Sequence, residues 1–176
     1  MAMFPQFPQF KVLVFLVDGL TKDAIANIQK QLADANPEYD YCFCSTTYIV
    51  SLEQLHHSIH NSLQSYTSDQ MQTRTLNAEI LLNLCPVNVI SEALKRFGIS
   101  EACSSAVIIK ILGREENTIE VERFTQSLGT VVPITDDALY QRADIAKFKK
   151  VYKLNDAEDP SDLTRLAIGA SILRGC

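Results

Sequence analysis

The feature that most constrains the fold is an apolar run near the amino terminus, Phe10–Val17, which reads FKVLVFLV. It is rich in β-branched and aromatic residues, so we predict a strand at the centre of a sheet. Asp18-Gly19 turns the chain directly after it. Thr21 is a suitable N-cap for a helix that we predict to continue to about Ala33. The domain therefore combines strands with helices.

Further strands and helices follow in mixed order. We predict a weaker strand at Tyr39–Cys44, then strands at Glu79–Leu84 and Ser105–Leu112, and a short edge strand at Gly129–Pro133. Predicted helices begin behind Ser51, which with Gln54 fits a capping box, and behind Asn88 or Ser91, with Gly98 as a left-handed cap. Four more lie near residues 120–126, 136–141, 144–153 and 161–174. This order predicts a single α+β domain over residues 1–176, with one mixed, mostly antiparallel sheet covered by helices and a helix-rich C-terminal part.

The charge and the cysteines narrow the class of protein. The 176 residues carry a net charge of −5, which argues against a general nucleic-acid binder but is compatible with a local basic patch. The five cysteines form no CxxC pair and are odd in number, so we expect thiols in a reducing compartment. No apolar run is long enough to span a membrane, so we expect an intracellular, soluble protein.

Motifs for catalysis are missing from the sequence. No serine or cysteine stands in a recognisable nucleophile motif, and the six glycines are scattered rather than gathered in a phosphate loop. We therefore expect no enzyme activity and no cofactor. His56 and His60 are one helical turn apart, and only Glu53 is near enough to add a ligand. A small-ligand or metal-binding regulatory domain that uses these histidines is the alternative hypothesis; a solvated helix face is the simpler interpretation.

Two helical segments indicate binding surfaces. The first, RADIAKFKKVYK at residues 142–153, sets five basic residues against the single acid Asp144. It is typical of either a solubilising face or a phosphate-contacting edge. The second is the last helix, where helical spacing predicts one stripe toward the core and places Ile168 and Ile172 on the other side. A helix that is apolar on two faces is buried on both or docked on a partner. The predicted core stripe comprises Leu163, Leu166, Ala170 and Leu173.

The segment TRTLNAEILLNLCPVNVISEALKRFGI, residues 73–99, resembles the small accessory subunit of the KEOPS complex, the family called TPRKB in animals. The resemblance extends to FPQF before the first strand, to KKVYKL at residues 149–154 and to the terminal LRGC. It implies a non-catalytic protein that binds an atypical protein kinase of the PRPK type. Through that kinase it would join the enzyme that makes threonylcarbamoyl-adenosine beside the tRNA anticodon. The resemblance also implies contact with the tRNA acceptor end, a link to telomere maintenance, and a location in the nucleus and cytoplasm.

The resemblance also assigns roles to particular residues. Arg74 lies in a polar loop with no acid within four residues, so it is a candidate to hold a phosphate or to stack on an unpaired base; a structural arginine bonded to backbone carbonyls is the alternative. The family often places lysines just before this arginine, but Gln70 and Gln72 occupy those positions here. The predicted tRNA contact therefore shifts in part to the basic helical segment at residues 142–153. The predicted tRNA contacts are Arg74, Lys95, Arg96, Lys147, Lys149, Lys150 and Lys153. The predicted kinase contacts are Ile168, Ile172 and Leu173.

Overall fold

The computed structural model describes residues 4–152 and 160–173. It divides into two compact units. The sheet unit is formed by Met1–Cys44 and Ile99–Ile134, and the helical unit by Ser45–Gly98 and Thr135–Cys176. Each unit draws on two separate stretches of chain, so neither is a continuous segment. The assignment of residues 1–176 to one domain stays a prediction.

The sheet unit is built on a four-stranded sheet with the order β2-β3-β1-β4. β1 (Phe10–Asp18) pairs antiparallel with β3 (Ser105–Gly113) along its whole length, from Phe10 opposite Gly113 to Asp18 opposite Ser105. β4 (Thr130–Val132) pairs antiparallel with the end of β1. β2 (Cys42–Ser45) lies beside β3. The predicted central position of the first strand and the predicted edge strand are both confirmed.

Two helices complete the sheet unit, α1 (Lys22–Ala33) and α5 (Ile119–Leu128). Thr21 caps α1 as predicted, because its hydroxyl accepts the Ala24 N–H at 3.1 Å. α1 buries Ile25 and Ile28 in the core, whereas Leu32 is exposed. The core is completed by aromatic rings from β2 and α5.

The helical unit contains α2 (Leu52–Thr67), α3 (Leu76–Leu84), α4 (Ile90–Phe97), α6 (Asp136–Arg142), α7 (Ile145–Tyr152) and α8 (Pro160–Leu173). Ser51 caps α2 by accepting the Gln54 N–H, as predicted. The Gln54 side chain reaches one residue further back than a capping box requires, because it accepts the Val50 N–H. α2 buries Leu55, Ile59 and Leu63, which lie on one face at helical spacing. α3 packs on α2, α4 and α8.

The prediction of a strand at Glu79–Leu84 is wrong, because these residues belong to helix α3. Thr75 caps this helix by accepting the Ala78 N–H at 3.1 Å. Every residue from Glu79 to Leu84 is buried, including the two polar residues Glu79 and Asn83, which are one helical turn apart. A short, mostly apolar run that is buried on all sides has too little periodicity to separate a helix from a strand.

Both ends of α4 differ from the prediction. Val89 occupies the N-cap position without a side-chain hydrogen bond, in place of Asn88 or Ser91. Gly98 has φ −72° and is extended rather than left-handed. A side chain at Gly98 would place its Cβ 2.5 Å from the Leu94 carbonyl oxygen, so close approach is the reason for glycine at this position.

The fold class is therefore α+β with one antiparallel sheet, as predicted.

The cysteines at positions 42, 44, 85 and 103 form no disulfide. A hydrogen bond with Cys44, 3.5 Å away, and burial both raise the pKa of the Cys42 thiol, which makes it a poor nucleophile. Within residues 4–152 and 160–173, no helix combines the length and apolar character needed to cross a bilayer.

Candidate functional site

The loop between α2 and α3 carries Arg74, and a buried carboxylate holds this loop. Glu79 belongs to the first turn of α3 and is only 2% exposed. Its Oε2 accepts the N–H groups of Gln72 and Thr73 at 3.2 and 3.0 Å. The Thr73 hydroxyl donates to the same oxygen at 2.6 Å. We call residues 72–74 the Arg74 loop.

The Arg74 side chain is exposed. Its guanidinium forms no hydrogen bond and no ion pair with any residue that the structure describes. The alternative of a structural arginine bonded to backbone carbonyls therefore finds no support in residues 4–152 and 160–173. Five N–H donors in a planar fork are left for solvent or for a ligand, and this geometry suits a phosphate or a base.

A polar groove of about 450 Å³ begins beside this loop at Gln72. Helices α2, α3 and α8 contribute to its walls, together with the segments at residues 72 and 88. Among the residues that the structure describes, nine line the groove; none of these is an acid, a lysine or an arginine, and eight are polar. They are His57, Asn61, Gln64, Ser65, Gln72, Asn83, Asn88, Ser171 and Ile172.

The chemistry of the groove suits a neutral, planar, hydrogen-bonding group. Amides present a donor and an acceptor side by side, which is how asparagine and glutamine read the edge of a base. The groove side chains also contact one another and the core: Asn61 Nδ2 lies 3.0 Å from His57 Nε2, and Asn83 donates to the Ser62 hydroxyl at 2.8 Å. Sequence reasoning missed this site because its residues come from five segments of the chain. The only local signal was the polar face of α2.

The histidines of α2 do not assemble a metal site with other described residues. Within residues 4–152 and 160–173, no group of three histidine, cysteine, aspartate or glutamate side chains is placed to share an ion. His57, rather than His56 or His60, faces the groove. The metal hypothesis therefore lacks a ligand set in this part of the chain.

The basic residues of α4 and α7 lie in the helical unit but do not line the groove. Lys95 is exposed, whereas Arg96 is half-buried and its Nε lies 3.1 Å from the Glu92 carboxylate. On α7, Phe148 and Tyr152 are buried, so one side of this helix faces the core.

The lysines of α7 occupy its outer side. Lys147 and Lys150 are exposed, and Lys149 is half-buried. Lys147 Nζ is 4.0 Å from the Asp144 carboxylate, so part of its charge is compensated. Lys153 lies outside the described residues. The acidic chain thus carries a local basic surface, but one that is separate from the groove lining.

The predicted core stripe of α8 is wrong apart from Leu163. The buried face comprises Leu163, Thr164, Ala167 and Ser171, whereas Leu166 and Leu173 are 41% and 66% exposed. Small and hydroxylated side chains allow close packing and satisfy buried polar groups. Thr164 Oγ1 lies 2.6 Å from Ser51 Oγ, and Ser171 donates to the Leu84 carbonyl at 3.3 Å. Besides Leu163 and Ala167, the buried face therefore includes two hydroxyl side chains whose hydrogen bonds compensate for their burial.

Exposed apolar side chains lie on two parts of the helical unit, α8 and α4, and at Tyr66 of α2. On α8, Ile172 and Leu173 are 56% and 66% exposed, and Ile168 is half-buried. The second part is the start of α4, where Val87, Val89, Ile90 and Leu94 are exposed. Ile172 and Asn88 line the same groove, so the two apolar surfaces meet it from different sides. Exposed apolar side chains grouped in this way are candidates for contact with another macromolecule.

The chain resembles a described protein family over nearly its whole length. Residues 21–175 match the family described as "Kinase binding protein CGI-121". A Candida albicans protein described as "EKC/KEOPS complex subunit CGI121" is 42% identical over 98% of this chain and 96% of its own length. A Debaryomyces hansenii protein with the same description is 41% identical over 97% of this chain and 95% of its own length. The corresponding Schizosaccharomyces pombe protein is 32% identical over 90% of this chain and 88% of its own length.

Proposed function

Because the chain belongs to the kinase binding protein CGI-121 family, we propose that it is a non-catalytic, kinase-binding subunit of an EKC/KEOPS complex. Three fungal relatives that match 88% or more of their own length carry this complex in their names, which supports the proposal. The partner that we propose is an atypical kinase of the PRPK type. The test is an affinity purification of the chain from its native cell, in which such a kinase should be retained. Purification without any kinase would contradict it.

We assign the kinase contact to the exposed outer side of α8, with Ile168, Ile172 and Leu173. The observation that carries this assignment is the exposure of Ile172 and Leu173 at the end of a helix whose other face is buried. Apolar side chains at the centre of an interface contribute most when they are fully desolvated by the partner. The apolar surface of α4 is the second candidate for the same contact.

The second part of the proposal is recruitment of tRNA for threonylcarbamoyl-adenosine synthesis next to the anticodon. The Arg74 guanidinium, without a partner among the described residues, and the amide-lined groove beside Gln72 support it. Single-stranded RNA is recognised through splayed bases that are stacked and hydrogen-bonded, and a tRNA offers such bases at its acceptor end. Lys95, Arg96, Lys147, Lys149 and Lys150 would contribute phosphate contacts.

The test for tRNA recruitment compares two forms of one tRNA, one intact and one trimmed of its single-stranded acceptor nucleotides. The full chain in complex with its kinase should bind the trimmed form more weakly. Equal affinity for both forms would remove the acceptor end from the proposal. By the same family resemblance we propose that the protein acts in the nucleus and cytoplasm and contributes to telomere maintenance.

A further inference from the structure

Glu79 has an unusual set of partners for a buried acid. Its carboxylate is 2% exposed, and its partners among the described residues are hydrogen-bond donors of the loop rather than a cation. An ionised carboxylate only accepts hydrogen bonds, so two backbone N–H groups and one hydroxyl match it well. Its place in the first turn of α3 adds the favourable field of a helix N-terminus.

The carboxylate orders the loop rather than the helix. The start of α3 is already capped by Thr75, whose hydroxyl accepts the Ala78 N–H. Glu79 reaches instead six and seven residues back along the chain, to Thr73 and Gln72. Removal of these bonds would leave the helix cap in place and free the backbone of the loop.

The loop carries the two features on which the proposed tRNA contact depends. Gln72 lines the polar groove, and Arg74 presents its guanidinium to solvent. The positions of both side chains depend on the backbone of residues 72 and 73, whose N–H groups donate to one carboxylate oxygen of Glu79. We propose that Glu79 is a positioning residue for RNA binding: it holds the Arg74 loop in its binding conformation before the RNA arrives. This inference rests on the proposed tRNA function.

The expected effect follows from the cost of ordering a loop on binding. A loop that is already fixed in its binding conformation does not lose backbone freedom when the ligand binds. The protein therefore binds the ligand with higher affinity. Releasing about one residue from its fixed backbone conformation corresponds to about a tenfold loss of affinity. Glu79→Leu removes every acceptor while keeping a helix-forming, apolar side chain, so we expect about that loss for tRNA.

Glu79→Gln is the matched control. The amide oxygen can occupy the position of Oε2, which makes three of the four contacts with the loop; the fourth, from Gln72 N–H to Oε1, is long at 3.4 Å. The NH2 group then takes the place of Oε1 and faces the Gln72 N–H, so Glu79→Gln loses the longest bond and leaves a buried donor unpaired. We therefore expect its tRNA affinity to lie between those of wild type and Glu79→Leu. Rescue by glutamine separates positioning from a general need for negative charge at this place.

The experiment uses the full chain bound to its kinase and measures tRNA affinity for wild type, Glu79→Leu, Glu79→Gln, Arg74→Ala and the Glu79→Leu/Arg74→Ala double variant. Amide hydrogen exchange reports the loop directly, since the Gln72 and Thr73 amides should exchange faster in Glu79→Leu. Because Glu79 acts through the loop, the double variant should lose much less than the product of the two single losses. Kinase affinity should stay unchanged, which a general folding defect would not allow.

Each outcome decides the inference. If Arg74→Ala weakens tRNA binding and Glu79→Leu does not, the positioning role is overturned while the proposed function stands. If Arg74→Ala has no effect, the proposed tRNA contact fails at this loop and the inference fails with it. If Glu79→Leu does not fold, Thr73→Val replaces it, because it keeps the buried carboxylate and removes the hydroxyl, which lies 2.6 Å from Glu79 Oε2 and 2.9 Å from the Thr75 carbonyl oxygen. An unchanged affinity in a folded Thr73→Val with faster loop exchange would likewise overturn the inference.

Discussion

Replacing Ile172 with arginine tests whether the outer side of α8 binds the kinase. In the free protein the side chain is 56% exposed, so less than half of it packs on neighbours. Removing that packing costs at most about 1 kcal/mol, and the arginine stem recovers part of it. For a chain of this size the melting temperature should fall by no more than about 2–4 °C. The circular-dichroism spectrum should stay native.

In the complex the same substitution is far more costly. If the kinase covers Ile172, the guanidinium is buried without a partner, which typically costs about 3–5 kcal/mol. At about 1.4 kcal/mol per decade, kinase affinity should fall by two to three orders of magnitude. Isothermal titration of the purified chain with the kinase measures this change, and co-purification from cells should fail.

The matched control is Ile119→Arg, at a position that is 48% exposed at the start of α5 in the sheet unit. It introduces the same charge at similar exposure and should leave kinase affinity unchanged. An early-melting Ile172→Arg would show that Ile172 belongs to the core. A variant that melts normally and binds the kinase with wild-type affinity would refute the assignment and direct attention to the apolar surface of α4.

Three further predictions concern RNA binding and stability. Arg74→Ala should leave the free energy of unfolding within about 1 kcal/mol, as for an exposed residue, yet weaken tRNA binding in a filter or anisotropy assay; normal tRNA binding by the folded variant would contradict the contact. Changing Lys149 and Lys150 together to glutamate should flatten the dependence of tRNA affinity on salt, by about 0.7–0.9 in log–log slope for each phosphate that is no longer neutralised. An unchanged slope would exclude α7 from the RNA surface. Tyr152→Phe removes a buried hydroxyl that donates to the Leu84 carbonyl and lies 3.3 Å from the Gln54 amide, so chemical denaturation should show about 1–2 kcal/mol less stability. Wild-type stability would show that other groups satisfy both partners.

The sequence by itself determined the elements whose signals are local. The cap at Thr21 depends on a hydroxyl and an N–H three residues apart, and the same is true of Ser51. The buried centre of the sheet followed from the density of β-branched residues in Phe10–Val17. Ile172 is exposed as predicted, although the core stripe from which its position was inferred is wrong apart from Leu163. Arg74 was found as a candidate because no acid stands near it in the sequence.

Only the tertiary structure decided features that depend on contacts between distant segments of the chain. Glu79–Leu84 is a helix that neighbours surround on every side, and a short, mostly apolar run has too little periodicity from which to tell helix from strand. On α8 the buried face contains a threonine and a serine, because their hydroxyls meet polar groups on α2 and α3 that no local pattern reveals. The groove, and the hydrogen bonds between Glu79 and the Arg74 loop, likewise depend on residues that packing brings together. Hydropathy ranks side chains one at a time, whereas burial of a polar group depends on whether the fold supplies it with a partner.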